Sequence, residues 1–472
     1  MILGITAQSG TSGSSSGPTE DAYFLNVAFQ IEAVGQSDGT GYSADESRHA
    51  HALTYSGTAT ILSGKFEFDG SGAIFAPPRA LWYPGSRLTI ECFGVQFDSY
   101  ASNFRTLAAC YDTSGNHRTW LFGVQATGVL EFFVSSNGSS TSSLASYSFS
   151  PATDGTEYDI GFSWDGTNCS LYVDGVQVAT GTYDGTAYQN GESLTIGASQ
   201  FGGSLENTFD GRMKAVRITR GYDRTGQAAS YTPDTLPLVT TQSTTTDPDW
   251  DKVVLLLDAL TGGEIRDASP YDWPVSVVST AAVSTGVQPI SGVNSISFNG
   301  SSDRLLIPDD PDLEFGGSDF TIEHWARHAV NTAQHTYISK YSGGGNLRSL
   351  WLRYDGVAAT DNLNLIMDDN GASPVAINQT NPWTPTVDTF YHVAICRNSS
   401  THRDFVDGSQ IGSDQTISIS AYDGTAPLSI GAGDSAGYTQ FMNGYLSELR
   451  ITIGKGRYTA GFSAPTAAFP RG

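Results

Sequence analysis

Hydrolysis of a glycosidic bond needs two carboxyl groups on one face, one to protonate the leaving group and one to act as nucleophile or base. Glu91 and Glu323 stand alone on strand-like runs. Their neighbours two residues away are Thr89 and Phe93, or Thr321 and Trp325. Glu67 and Asp69 have the right spacing for one strand face, but the matching stretch further along the chain carries Ser297 and Asn299. No nucleophile-elbow pattern supports a Ser/His/Asp arrangement. The spacing predicts a protein that is not an enzyme.

Two sets of residues could hold a metal. His49-Ala-His51 puts two imidazoles on one strand face, as zinc would require, but no third ligand is in view. Asp303, in the turn Asn299-Gly-Ser-Ser-Asp303, together with Asp309, Asp310 and Asp312, offers the hard oxygen ligands that calcium prefers. A plain hydrogen-bonded turn is the favoured reading of Asp303, with calcium the alternative, and the earlier half has Ala73 at that position. For a glycan the requirement is an aromatic platform with a polar rim. Trp82-Tyr83, between Pro78 and Pro84, and Tyr341, before Gly343-Gly-Gly345, lie in loops and are the candidates. Domain contacts would explain them equally well. Trp164, Trp325 and Trp351 fall in alternating patterns that place them in a core.

The elements that position these residues are strands. Leu88-Thr-Ile-Glu-Cys-Phe-Gly-Val95 and Phe320-Thr-Ile-Glu-His-Trp-Ala326 alternate with period two, and Asp-Gly pairs at 165–166 and 174–175 mark hairpins. Alternation over so many strands requires two facing sheets. One short helical turn is expected at Gly454-Lys-Gly-Arg-Tyr458, folded over a sandwich edge.

The chain also repeats itself. Leu171-Tyr-Val-Asp-Gly175 returns as Asp404-Phe-Val-Asp-Gly408, Tyr183-Asp-Gly-Thr-Ala187 as Tyr422-Asp-Gly-Thr-Ala426, and Leu194-Thr-Ile-Gly-Ala198 as Leu428-Ser-Ile-Gly-Ala432. Val216-Arg-Ile-Thr219 returns as Leu449-Arg-Ile-Thr452. The order is collinear and the period is that of a whole domain. The reading is all-β, with two tandem antiparallel jelly-roll sandwiches at 21–237 and 249–472. A Thr-rich linker, 238–248, joins them, and a flexible arm, 1–20, precedes them. The apolar tip of that arm, Ile2, Leu3 and Ile5, is a candidate docking segment.

The pieces SISFNGSSDRLLIP (295–308), FTIEHWAR (320–327), YHVAICRN (391–398) and MNGYLSELRITIGKGRYTAGFSAPTAAFP (442–470) resemble the laminin-G-like domains of the concanavalin-A-like superfamily. The last piece resembles the closing strand and tail of such domains in tailed-phage structural proteins. The first half carries the series more loosely, and its tail from Arg220 to Asp234 has drifted. The resemblance implies a two-sheet jelly roll with a ligand at the loops or concave face, often with calcium.

The 472 residues carry a formal net charge of −24, which repels nucleic acid and anionic membranes while suiting neutral glycans and divalent cations. No apolar run is long enough to span a bilayer, and the first residues are too short and uncharged for a secretory signal. Cys92, Cys110, Cys169 and Cys396 show no metal-type spacing and read as buried free thiols. The expectation is a virion accessory protein of a tailed phage: a fibre, spike or capsid decoration made in the host cytoplasm. It docks through its arm to other virion proteins, binds a host-surface glycan or protein, and forms a symmetric homo-oligomer such as a trimer. The alternative is a secreted bacterial carbohydrate-binding or adhesin module.

Overall fold

The computed structural model describes residues 21, 24–39, 44–85, 87–189, 191–238, 247–260, 262–342, 347–357, 361–372, 375–434 and 437–471. Among them the chain is all-β, and its helical elements are 3-10 turns of three residues. Among the described residues no helix is long and apolar enough to cross a membrane. Ile2, Leu3 and Ile5 lie outside the described residues.

Four nine-stranded sheets form two sandwiches. In the first, one sheet runs Val176–Thr182, Asn168–Val173, Tyr158–Trp164, Leu88–Phe97, Asp210–Met213, Lys65–Asp69 and Thr60–Leu62. Ala215–Arg220 and Val27–Glu32 extend it alongside Leu88–Phe97. The facing sheet is centred on Arg105–Asp112, His117–Val124 and Val129–Val134. The second sandwich repeats this plan around Phe320–His328, Phe390–Asn398 and Asn443–Ile453, faced by Gln334–Ser342, Leu347–Asp355 and Asn362–Gly371. Alternate side chains of facing strands fill each core, among them Ile90, Phe122, Phe132 and Phe162 in the first and Ile322, Leu352, Leu365 and Ile395 in the second. All four cysteines are buried and none is in a disulfide. Trp164, Trp325 and Trp351 are all buried, but of the three Trp164 packs in the apolar core, while Trp351 lies on the outer face of its sheet.

The repeat extends to local backbone geometry. Asp174-Gly175 and Asp407-Gly408 both place two consecutive residues at positive φ (51° and 74°, 49° and 75°), the turn that matches the twist of a tight hairpin. Over each turn the following tail makes the same bond: the Tyr231 N–H donates to the Gly175 carbonyl at 2.8 Å, and the Phe462 N–H to that of Gly408 at 2.9 Å. A Cβ at either glycine would stand about 2 Å from that tail's backbone oxygen, so the position demands glycine. The tail of the first half therefore keeps its place although its sequence has drifted.

The stretch Gly454–Tyr458 is not helical. Its side chains run back across the sheet and enter a buried ion-pair clamp. Arg450 grips Glu323 at 2.7 Å and Asp247 at 3.1 Å, and Arg457 grips Asp247 at 3.0 Å. The first sandwich has the same parts: Arg217 on Glu91 at 2.6 Å and Arg224 on Asp21 at 2.6 Å. The supporting hydroxyls match too. The N–H of Arg224 donates to Thr89 and its Nε to Thr219, while Arg457 does the same to Thr321 and Thr452. This clamp ties the entering and leaving ends of each sandwich to its central strand.

The sandwiches are not beads on a string. One contiguous apolar cluster contains both cores, with Ala80, Leu81, Trp82 and Tyr83 of the first half and Tyr271, Trp273, Leu313 and Phe315 of the second. Of the linker, 239–246 lies outside the described residues. Its flanks are tied down: Leu238 packs on Phe93 and Ala215, and Asp247 is buried in the clamp.

Candidate functional site: the seam between the sandwiches

The carboxylates with catalytic potential are committed elsewhere. Burial alone would push the Glu323 carboxyl up, but His392, Arg450 and Tyr458 outweigh it and hold the group down at about 2. Glu91 is likewise locked on Arg217. A groove of about 380 Å3 in the first sandwich is lined by Glu157, Asp159, Asp174 and Asp234. Each of these carboxylates has a partner. Glu157 pairs with Lys65 and Lys214, Asp159 accepts the Gly94 N–H, Asp174 the Asp159 N–H, and Asp234 pairs with Arg217. Burial raises Asp159, and nearby Asp174 adds to that.

The acidic residues expected to hold calcium are turned onto protein donors. Asp303 accepts the N–H groups of Thr280 (2.8 Å) and Asn299 (2.9 Å) and the Thr280 hydroxyl, the hydrogen-bonded turn that was the favoured reading. Asp309 pairs with Lys340, whose fully buried ammonium is also held by Glu314 and the Gly424 and Ala426 carbonyls. A cation at Asp309 would have to displace a built-in one. Among the described residues no group of three or more His, Cys, Asp or Glu side chains is placed to hold a metal ion.

Asp310 and Asp312 instead build the seam. Arg79 reaches across from the loop before Trp82 and makes a bidentate pair with Asp310 (2.7–3.1 Å) and a further pair with Asp312. The Ala80 N–H caps the same Asp310 carboxylate. His49 and His51 do not face a vacant metal position. Their rings stack at 5.3 Å; His49 Nδ1 lies 3.2 Å from Asp312, and His51 meets Arg79 and the Ala28 carbonyl. Arg48 lies over Tyr271 at 4.0 Å.

This arrangement corrects the reading of Trp82 and Tyr83 as an exposed platform: they are 2% and 7% exposed. Trp82 donates to the Pro77 carbonyl, and Trp120 donates to the carbonyl of Trp82. The proline-flanked loop is a domain contact, made by an arginine that the glycan reading passed over. Tyr341 is half-buried, 5.0 Å from Trp351, with the Arg348 guanidinium over its ring.

Just past Tyr83 the seam opens into a cleft of about 240 Å3, built by both halves. Pro84, Trp164 and Thr186 come from the first sandwich, and Glu264, Arg266 and Trp273 from the second. The two indole N–H groups are spent on the Tyr183 and Val254 carbonyls, which leaves the rings as apolar wall. The Glu264 side chain is exposed, and Arg266 has its nearest carboxylate, Asp258, at 3.6 Å and a shielded Nε without an acceptor. The cleft is held open by a tight fit. Asp272 is keyed between Gly85 and Gly221, where added Cβ atoms would meet its side chain at 1.9 and 2.8 Å, and Arg220 binds its carbonyl at 2.6 Å. No single segment of sequence announces this site, because its walls come from five segments in two domains. The available signal was Arg79 between prolines in an acidic chain.

With fold and site in place, the chain belongs to the concanavalin A-like lectin/glucanases superfamily: a laminin-G-type family model of that description matches residues 68–228 and 299–452. Its domains are lectin-like jelly rolls. No curated protein matches it significantly. Among solved structures, the binding domain of Paraclostridial Mosquitocidal Protein 1 is 15% identical (TM-score 0.34), with 45% of this chain covering 50% of that one. Domain 4 of AbnA, a GH43 extracellular arabinanase from Geobacillus stearothermophilus solved with arabinotriose, is 16% identical over 43% of this chain and 93% of its own (TM-score 0.33). Mouse laminin alpha1 domains LG4-5 are 12% identical over 86% of this chain and 95% of theirs (TM-score 0.25). The chain spans about half the length of the toxin binding domains it matches.

Proposed function

We propose that this is a non-catalytic accessory protein of a tailed-phage virion, displaying two fused lectin-like sandwiches that bind a host-surface glycan at the seam cleft. The observation that carries the reading is the composite cleft itself. Thr186 and Glu264 stand exposed at its rim with Arg266 beside them, supplying hydroxyl, acceptor and donor to a sugar, while the two tryptophans, 7% and 2% exposed and with their N–H groups spent, form the floor beneath. Its volume, below the ~300 Å3 at which drug-sized pockets begin, suits one terminal sugar ring. The virion setting rests on the resemblance of the C-terminal stretch, and the arm at 1–20 is the proposed attachment to other virion proteins.

A glycan array probed with the intact chain tests the binding reading. Glu264→Gln and Thr186→Trp, at exposed positions, should abolish the signal while leaving the melting temperature unchanged; undiminished binding by both variants rejects the cleft. Deleting residues 1–20 should remove the protein from purified particles, and full incorporation without them rejects the docking role.

A further inference from the structure

The chain has eight histidines, and their placement is uneven. His324, His328, His335, His392 and His402 are buried in the second sandwich, while His49 and His51 sit on the seam. The remaining one, His117, has a side chain 46% exposed and pairs with Glu192 at the edge of the first sandwich. The first core thus contains no histidine. Strand pairing identifies what stands in their place. Cys92 follows Ile90 as His324 follows Ile322, Phe97 pairs with Gly211 as His328 pairs with Gly444, and Cys169 pairs with Trp164 as His402 pairs with Arg397.

We infer that acidification loosens the second sandwich and releases it from the first, with the buried histidines of one core and of the seam as the trigger.

Three of them form a connected cluster. His324 lies 4.5 Å from the Tyr337 ring, Tyr337 shares a 2.9 Å hydrogen bond with His328 Nε2, and His328 lies 5.1 Å from His335. Both ring nitrogens of His324 lack a hydrogen-bond partner, as does Nδ1 of His328, while His335 lies against the backbone of Val330 and Phe441. The titratable groups facing this cluster are Glu323 from its own strand, His392 from the neighbouring strand, and Tyr337 and Tyr354 from the facing sheet. Glu323 is already saturated by Arg450, His392 and Tyr458. A His335 ring nitrogen accepts the Asn443 N–H. A proton added here finds no free carboxylate.

The seam is similarly balanced. Arg48 and Arg79 stand against Asp310 and Asp312, with neutral His49, His51 and Tyr271 between them. Protonating either imidazole adds a third cation to two carboxylates.

Burial lowers His49 to about 4, His51 and His324 to about 3, and His328 and His335 in the same direction. The unfolded groups titrate near ~6.5, so the unfolded chain takes up more protons than the folded one below that pH. The contribution of these histidines to stability is complete above ~6.5 and falls as the pH drops toward the folded values. Asp45, which accepts the His51 N–H and is pushed up by burial to about 6, and Glu314, pushed up to about 8, each act in the opposite sense and release a proton on unfolding. Each such histidine raises the unfolding constant by up to about tenfold per pH unit. The three clustered histidines together give up to a few hundredfold between pH 6 and 5.

Hydrogen–deuterium exchange of the intact chain, corrected for intrinsic rates, should show strands 320–328 and 334–342 losing protection at a higher pH than strands 88–97 and 105–112. Simultaneous loss, or loss in the first sandwich before the second, overturns the inference. Replacing His324→Cys and His328→Phe, the residues of the first core, should move the midpoint to lower pH; an unmoved midpoint also overturns it. Should that variant fail to fold, the pH dependence of urea unfolding in the unaltered chain decides. Excess uptake of two or more protons on unfolding between pH 6.5 and 5.5 supports the trigger, and less than one rejects it.

Discussion

The two sandwiches share a skeleton and differ in what fills it. Held in common are the clamp, the Asp-Gly turns and the tails that cross them: Arg217 and Arg450, Gly175 and Gly408, Tyr231 and Phe462. Differing are the core positions and the outer sheet faces. Cys92 and Cys169 become His324 and His402, and Leu121, paired with Phe133 on the outer face, becomes Trp351, paired with Ile366. Trp351 in turn reaches Thr336 with its N–H and carries Arg353 on its ring. After duplication, then, the backbone and the ion pairs that close it stayed fixed while volume and polarity inside and outside were free to drift. A clamp this deeply buried tolerates no partial replacement, because removing one charge leaves the other without its counter-ion. A core position tolerates another side chain of similar volume.

The clamp gives the sharpest test of this equivalence. Arg217→Ala and Arg450→Ala should each cost about 3–5 kcal/mol, since each removes the arginine from a buried glutamate. Chemical denaturation read by tryptophan fluorescence checks it. A cost above 3 kcal/mol in one sandwich and below 1 in the other breaks the claim that both depend on the same device. The seam comes next. Arg79→Ala strands Asp310, which is fully buried, but Asp312 is partly solvated, so the expected cost is lower, about 2–3 kcal/mol. Calorimetry should then resolve two transitions where the unaltered chain shows one. A single transition in the variant means that the apolar contact alone fuses the sandwiches.

How much of this was readable beforehand follows from range of interaction. Alternation, Asp-Gly turns and the repeat are local or collinear, and they led to the sandwiches, the core Trp164 and the free cysteines. The ion pairs are not local. Glu91 looked isolated because its partner, Arg217, is 126 residues away. Asp310 and Asp312 looked like calcium ligands because a cluster of carboxylates reads alike whether a metal or an arginine neutralises it, and Arg79 lies 231 residues before Asp310. Trp82 and Tyr83 looked exposed because prolines mark a loop. A loop is surface only until a second domain covers it.

The mildest expected difference concerns the turn at Asp303. Its carboxylate holds the N–H groups of Thr280 and Asn299, so Asp303→Ala should cost about 1–3 kcal/mol through unsatisfied donors. In the first sandwich the pairing of Ala76 with Leu194, against Ile307 with Leu428, places Gly72 rather than Ala73 opposite Asp303. There a Cβ would meet the Ala59 nitrogen at 2.3 Å: the backbone has closed into the space that the aspartate occupies in the second. Gly72→Asp should therefore destabilise the first sandwich rather than install the missing turn. Because Asp303 already accepts three protein donors, calcium should leave the melting temperature of the unaltered chain where it is. A rise on adding calcium that disappears in Asp303→Ala would mean that the turn opens to take the ion, and that here the two halves differ in chemistry as well as in packing.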